Sequence, residues 1–517
     1  MFNKGIKLIL PLSLVMLLIA SSVFAQNAYP GGGWTTAYQV VNMGDGPANV
    51  TVSYYNSSGQ VQSAATRTIS NLAPGASKLI VQFSNASNPD YDTNLTSGQY
   101  SVVISSDQQL AAITNQQLVP SGSTNYAPTP PFSSYTGQSA GAKQITLPAV
   151  MYNWYGYNTE IYIMNVSTGT AADVDITYVP GLLTGQATGA SGQSDLNQTI
   201  PQYASVKLDQ SQKASLGASS GTFLGRFLGS AVITSDQDVI AVVNQYNTSA
   251  YKLMTYNGFA QGSTSMALPS IMNNFYGFYT TLLIANPSAT LTATVSLTYT
   301  ADMSPGFSQL NPGQTGNTYS ASYQVGPQAS VTIYDGPGTT ASDVDDKFSR
   351  FFGSAKVTSN VPVVSFVNVE AVASGAAQGG SYGGIDLTGA TATIVVPVVA
   401  ADFYGYYTTL IVQNATDTSG TCQVSYTSDN TFSAVKNRTE AYSHNLPANG
   451  SFTVYEGHAG GQTVGDINAD ADWASGGQRQ FLGAATVTCG VAAVAFVNEE
   501  SDVNQRDSMY TFNTFNK

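Results

Sequence analysis

The chain repeats itself four times, and this periodicity limits its fold more than any other feature of the sequence. Aligned on one asparagine, Gly33 to Asn42 (GWTTAYQVVN), Gly156 to Asn165 (GYNTEIYIMN), Gly277 to Asn286 (GFYTTLLIAN) and Gly405 to Asn414 (GYYTTLIVQN) recur at spacings of 123, 121 and 128 residues. A second anchor lies toward each repeat's end: Ile104, Ile233, Val357 and Val487 lead to Asn115, Asn244, Asn368 and Asn498, spaced 129, 124 and 130. Two anchors with one period describe four copies of a unit, each long enough to bury a core of its own.

Inside each unit apolar residues fall at every second position between Gly, Pro, Asn and Asp clusters, the signature of strands with one buried face. Inward positions are Val50, Val52, Tyr54, then Val174, Ile176, Tyr178, then Val295, Leu297, Tyr299, then Cys422, Val424, Tyr426. A turn such as Leu72-Ala73-Pro74-Gly75 precedes a further strand, and Ala231 to Val243 reads as a hairpin turning at Ser235-Asp236-Gln237-Asp238. Helical periodicity is nearly absent. Six or seven short strands in about 100 residues predict an all-β chain of four tandem immunoglobulin-like β-sandwich domains in an elongated array. The predicted segments are a leader at 1–25, sandwiches at 26–119, 144–245, 266–370 and 392–500, Pro/Gly/Ser-rich linkers at 120–143, 246–265 and 371–391, and a tail at 501–517. The linkers read as semi-extended, although Tyr251 to Phe259 (YKLMTYNGF) is loosely echoed by Met509 to Phe515 (MYTFNTF), which suggests a strand there.

Charge narrows the function classes. Lys+Arg 17 against Asp+Glu 30 leaves −13, and charged residues are only 9% of the chain, so no basic stripe exists to neutralise nucleic-acid phosphates or anionic lipid. Lys4 and Lys7 precede an apolar run from Leu8 to Ala20 and the small-residue pattern Val23-Phe24-Ala25. That run is too short to span a bilayer and reads as a secretory signal cut after Ala25, giving an exported, extracellular or cell-surface protein without a transmembrane anchor.

Catalytic chemistry finds little footing. The two histidines, His444 and His458, both lie in the last repeat, and the G-x-S-x-G matches at Ser139, Ser219 and Ser381 sit in Gly/Ser-rich stretches without strand-turn-helix context. No enzyme and no organic cofactor is expected. For metals, Asp466, Asn468, Asp470 and Asp472 place oxygen ligands at alternate positions, as a structural Ca²⁺ loop does, with Asp343, Asp345 and Asp346 in a similar stretch of the third repeat. Ala471 stands where an EF-hand loop needs glycine, and Gly477 where it needs a bidentate glutamate, so a solvated acidic loop is the competing reading.

Cys422 takes the slot of Val50, Val174 and Val295, and Cys489 that of Ser106, Ser235 and Ser359, so a disulfide between them is expected in an exported chain, with two buried free thiols as the competing reading. Aromatic clusters open three repeats: Trp154 and Tyr155, Phe275 and Tyr276, Phe403 and Tyr404, each pair followed by glycine. Such rings either pack where a unit meets its neighbour or stack on sugars. Ten N-x-[ST] sequons permit glycosylation without arguing for it.

The asparagine-ended strand followed by V-T-V-x-Y (Val50 to Tyr54), the Leu-x-Pro-Gly turn (Leu72 to Gly75), and Leu147-Pro148, Leu268-Pro269 and Val396-Pro397 at the entry to later repeats resemble the tandem Ig-like repeats of exported bacterial surface proteins. The resemblance implies architecture and brings no shared catalytic residues. With so few charges to repel, and many hydroxyl and amide side chains on open sheet edges, the chain is expected to self-associate as a surface-layer, sheath or filament subunit. The competing expectation is an adhesin whose aromatics and loops bind polysaccharide or other cell-envelope components.

Overall fold

The computed structural model describes residues 32–82, 94–120, 131–183, 186–218, 222–250, 252–335, 344–372, 378–403, 405–428, 433–436, 438–459, 462–463, 465–474, 480–501 and 509–516. The fold is all-β. Its strands follow one plan in repeats two to four, clearest in the second, and the first repeat shares the part that follows the lead strand. A lead strand (Ala142–Tyr152) turns into the asparagine strand (Asn158–Asn165), which is followed by the tyrosine strand (Ala172–Pro180), an outer strand (Gln193–Ile200), a short strand (Ser205–Asp209), a long strand (Phe227–Asn247) and a hub strand (Lys252–Asn257).

Alternation decides which face is buried. Val174, Ile176 and Tyr178 are 0–1% exposed while their neighbours point outward. The same holds for Val50, Val52 and Tyr54, for Val295, Leu297 and Tyr299, and for Cys422, Val424 and Tyr426. Each buried side chain contributes about 1.5–3 kcal/mol over its exposed state, and a one-residue slip would turn the whole set to solvent.

The predicted hairpin in Ala231 to Val243 does not form. One continuous strand bends at Ser235 to Asp238: residues 229–235 pair with the tyrosine strand and residues 239–246 with the asparagine strand. Phe348–Ala371 and Phe481–Ser501 do the same, and in the first repeat the halves are Ser101–Ser106 and Leu110–Pro120. Each half therefore gains a full ladder in a different sheet instead of pairing with its other half, and the two sheets close over a shared core.

The asparagine at the repeat anchor pins this corner. Asn165 donates through Nδ2 to Thr170 O (2.8 Å) and Ile200 O (3.0 Å), and its Oδ1 accepts from Ser167 N (2.9 Å). Asn42, Asn286 and Asn414 repeat the pattern on Gly46 and Leu72, on Leu291 and Val325, and on Thr418 and Pro447. Above the bend, Asp107, Asp236 and Asn360 accept the backbone N–H of Asn49, Asp173 and Thr294.

The units are not strung out as a rod. Three of the four cores take apolar side chains from the next repeat: Leu283 and Phe366 join the second core, Ile411 and Phe496 the third, and Ile113 and Phe132 of the first repeat join the fourth. The first repeat also meets the second, through Gln116 bonded to Asn244 and Thr255 (2.6 Å each). The four repeats thus form a closed cycle of neighbours. An elongated array fails physically because each lead strand is apolar on both faces, with seven consecutive buried residues in Ala142–Tyr152, and one sandwich covers only one of those faces.

Residues expected to be semi-extended linkers, together with the expected tail, form the centre of the cycle. Phe132–Thr136, Lys252–Asn257, Gly379–Gly383 and Met509–Asn513 contact one another in cyclic order. Ser134 Oγ donates to Thr511 O, Thr511 Oγ1 to Ser381 O, Ser381 Oγ to Thr255 O, and Asn257 Nδ2 to Thr136 O. Small hydroxyl residues suit a crowded centre because each satisfies a neighbour's carbonyl there.

Candidate binding surface

The aromatic clusters sit at the turn between lead and asparagine strands. Trp154 and Tyr157 exchange both backbone hydrogen bonds at 2.9 Å, leaving Tyr155 and Gly156 as a two-residue turn with φ of 48° and 90°. Phe275 to Phe278 repeats it, with Tyr276 at 50° and Gly277 at 86°, and Phe403 bridges Tyr406. Two successive positive φ values define the type I′ hairpin turn, which favours Asn or Gly in the first place. A tyrosine there is held in the left-handed region at a cost of about 1–2 kcal/mol.

In the clusters of the second and third repeats the two rings part company. Trp154 and Phe403 are buried, and Trp154 packs on Phe223 at 5.1 Å, as Phe275 does on Phe352 at 4.6 Å. Tyr155 and Tyr276 are 61% and 72% exposed, and Arg226 and Arg350 lie over their rings at 4.1 and 5.9 Å. Tyr404 lies outside the described residues. The arrangement offers a flat ring beside a guanidinium on a rigid turn, twice.

The arginines come from a recurring pentapeptide that the sequence reading did not single out: Arg226-Phe227-Leu228-Gly229-Ser230, Arg350-Phe351-Phe352-Gly353-Ser354 and, without arginine, Gln480-Phe481-Leu482-Gly483-Ala484. Its glycine is required, because a Cβ at Gly229, Gly353 or Gly483 would collide with the carbonyl of Val179, Thr300 or Thr427.

The Ca²⁺ candidates are spread over separate partners. Asp466 Oδ2 accepts from Tyr426 (3.0 Å) and pairs with His444 Nε2 (2.8 Å), and Asn468 donates to Gly457 O (3.1 Å). Asp470 accepts from Tyr442 (2.7 Å), and Asp472 faces Arg438 (3.3 Å). Among the described residues no three His, Cys, Asp or Glu side chains are gathered to hold a metal ion. The loop is organised by Glu456 instead. Its buried carboxylate accepts the N–H groups of Asp466, Ile467 and Asn468 at 2.9–3.2 Å. Burial pushes its pKa up to about 7 against the pull of those three donors. Asp343 lies outside the described residues, Asp345 bonds Asn273 and Asp346 bonds Tyr319.

Cys422 and Cys489 face each other across adjacent strands and are bonded, at the register held by Val50–Ser106, Val174–Ser235 and Val295–Ser359 elsewhere. Of the G-x-S-x-G serines, Ser381 is a buried hub residue, Ser139 lines a cleft between the first two repeats, and Ser219 lies outside the described residues. Asn165, Asn247 and Asn414 are buried, so those three sequons are closed to a glycan in the folded chain. Among the described residues no helix is long and apolar enough to cross a membrane. No protein-family model matches the chain, and no curated protein matches it.

Proposed function

We propose that this is a non-catalytic, exported protein of the cell surface that self-associates as a structural subunit of a layer, sheath or filament, each repeat being an immunoglobulin-like sandwich. The observation that carries this reading is the outward face of the outer strands. In the third repeat Thr318–Val325 alternates outward Thr318, Ser320, Ser322 and Gln324. These meet Ser296, Thr298 and Thr294 in a ladder of hydroxyl and amide contacts at 3.1–3.4 Å. Among the described strands it pairs with one neighbour, at the margin of its sheet. An uncharged, hydrogen-bonding edge repels a copy of itself very little. Light scattering of the processed chain at millimolar concentration tests the idea, with and without Ca²⁺. Growth into large assemblies is expected, and a strictly monomeric chain under both conditions sinks it.

A second reading, an adhesin that binds polysaccharide, is favoured by Tyr155 and Tyr276, since a bulky residue held at positive φ and exposed is a strained feature of the kind found at binding sites. A glycan array separates the two. Hits lost on Tyr155→Ala and Tyr276→Ala favour adhesion, and a blank array leaves assembly standing alone.

A further inference from the structure

Three of the four repeats place a lead strand between their own long strand and the sheet of the next repeat. The second repeat's lead strand pairs antiparallel with residues 227–234, and the lead strands Ser263–Asn273 and Thr391–Ala401 pair with 351–358 and 481–488. The first repeat differs. Among the described residues its equivalent strand Ser101–Ser106 pairs only with Ala48–Tyr55, and Val102 is 37% exposed on the open side. Beside it lies a cleft of about 750 Å³ between the first and second repeats.

The walls of this cleft are those of a lead-strand slot. Its long-strand wall is Val102, Val103 and Ile104, the counterparts of Ala231, Val232 and Ile233, which take Leu147, Thr146 and Ile145 in the second repeat. Its far wall includes Tyr162 and Val242, at the positions of Leu283 and Phe366, which pack into the core beside the second lead strand. Two polar groups that seat a lead strand are also present. Thr159, Thr280 and Thr408 accept the N–H of Met151, Met272 and Ala400 at 2.7–3.2 Å, and Thr36 takes their place here. The hydroxyls of Tyr256 and Tyr382 donate to Ala149 O and Ser270 O at 2.7 Å, and Tyr135 takes theirs.

The residues in lead-strand register ahead of the first repeat carry a different sequence pattern. Lead strands begin 14 and end 4 residues before Gly156, Gly277 and Gly405, which counts back from Gly33 to residues 19–29. There Ala25 replaces the proline of Leu147-Pro148, Leu268-Pro269 and Val396-Pro397, and Asn27 replaces the fully buried Val150, Ile271 and Val399. Cleavage after Ala25 would remove most of the segment.

We propose that this cleft is an acceptor site for an extended β-strand donated by a second polypeptide, whose apolar residues alternate around a Leu-Pro or Val-Pro step like the three internal lead strands. Main-chain hydrogen bonds to Ser101–Ser106 give affinity, and the Tyr162–Val242 wall reads the alternate side chains. The site stands independently of self-assembly.

A fluorescein-labelled peptide of residues 142–152 (AKQITLPAVMY), titrated into the processed chain and followed by anisotropy, tests it. Saturable binding in the micromolar range is expected, weakened roughly tenfold or more by scrambling the peptide or by Val242→Glu, and roughly fivefold by Thr36→Val. No saturable binding, equal binding of the scrambled peptide, or unchanged binding in both variants overturns the site. If Val242→Glu unfolds, Thr36→Val, which removes a single hydroxyl, decides. Light scattering on the same samples keeps the two proposals apart. A monomeric chain that binds peptide retains the site and removes self-assembly, whereas an assembling chain that ignores peptide removes the site alone.

Discussion

Four asparagines carry more of this fold than their polarity suggests. Asn165 is fully buried, and its amide satisfies two carbonyls and one N–H at the bend between sheets. Asn165→Ala leaves those groups without partners, so it is expected to cost roughly 2–4 kcal/mol. Urea unfolding should show the midpoint fall with the slope unchanged, and a loss under about 0.5 kcal/mol would mean that the pin is dispensable. Buried glutamates set the pH response. Burial lifts Glu456 to about 7 and Glu499 well above the ordinary carboxyl value. Above pH 4.5 the unfolded chain loses protons that the native chain keeps, so stability falls as pH rises and, for Glu456, levels off once pH passes 7. Glu456 alone accounts for roughly 3 kcal/mol across that window. Thermal melts should therefore be higher at pH 5 than at pH 8, and Glu456→Gln, whose amide oxygen still accepts N–H bonds, should flatten the difference. A wild type more stable at pH 8, or an unchanged slope in the variant, contradicts this.

At the scale of elements, the long strand's bend is held in two ways. Repeats one to three use a side-chain oxygen on a backbone N–H, from Asp107, Asp236 and Asn360, while the fourth has Gly490 in that place and a disulfide one residue earlier. The bridge closes a long loop, with a sequence separation of 67, so its loss is expected to cost about 4 kcal/mol in the chain-entropy description. Cys422→Val with Cys489→Ser restores the pairing used elsewhere. That variant should fold with the same circular dichroism yet unfold at lower denaturant, and a wild type equally stable with and without reductant would refute this. The strand faces and the cysteine slots were legible because alternation and repeat alignment are local signals. The bend was not, because Ser235-Asp236-Gln237-Asp238 suits a hairpin turn and a sheet-to-sheet corner equally, and only the positions of the asparagine and tyrosine strands choose between them. In the aromatic clusters the residues could be named from sequence, but that Tyr155 and Tyr276 are the exposed rings of their pairs follows from turn geometry. The flanking arginines went unread although their pentapeptide recurs.

Across the whole molecule the interfaces are unequal. Gln116 bonds Asn244, and Gln245 bonds Asn368, but the corresponding positions of the last two repeats are Val369 and Glu499. There Asn498 has no partner for its amide and Asn115 none for Oδ1 among the described residues. A closed cycle predicts a radius of gyration of roughly 25 Å by small-angle scattering. A rod of ~150 Å would give roughly 40 Å, and that value would reject the closure. By itself the sequence determined four copies of an all-β unit, the buried face of each tyrosine strand and the matched slots of the two cysteines, since these depend on period and parity along the chain. Tertiary structure alone decided that the units close on one another, that linker-like residues make the centre, and that a cleft with the walls of a lead-strand slot lies beside the first repeat. Those outcomes depend on which apolar faces remain uncovered after each sandwich forms, a property of neighbours in space that periodicity along the chain does not encode.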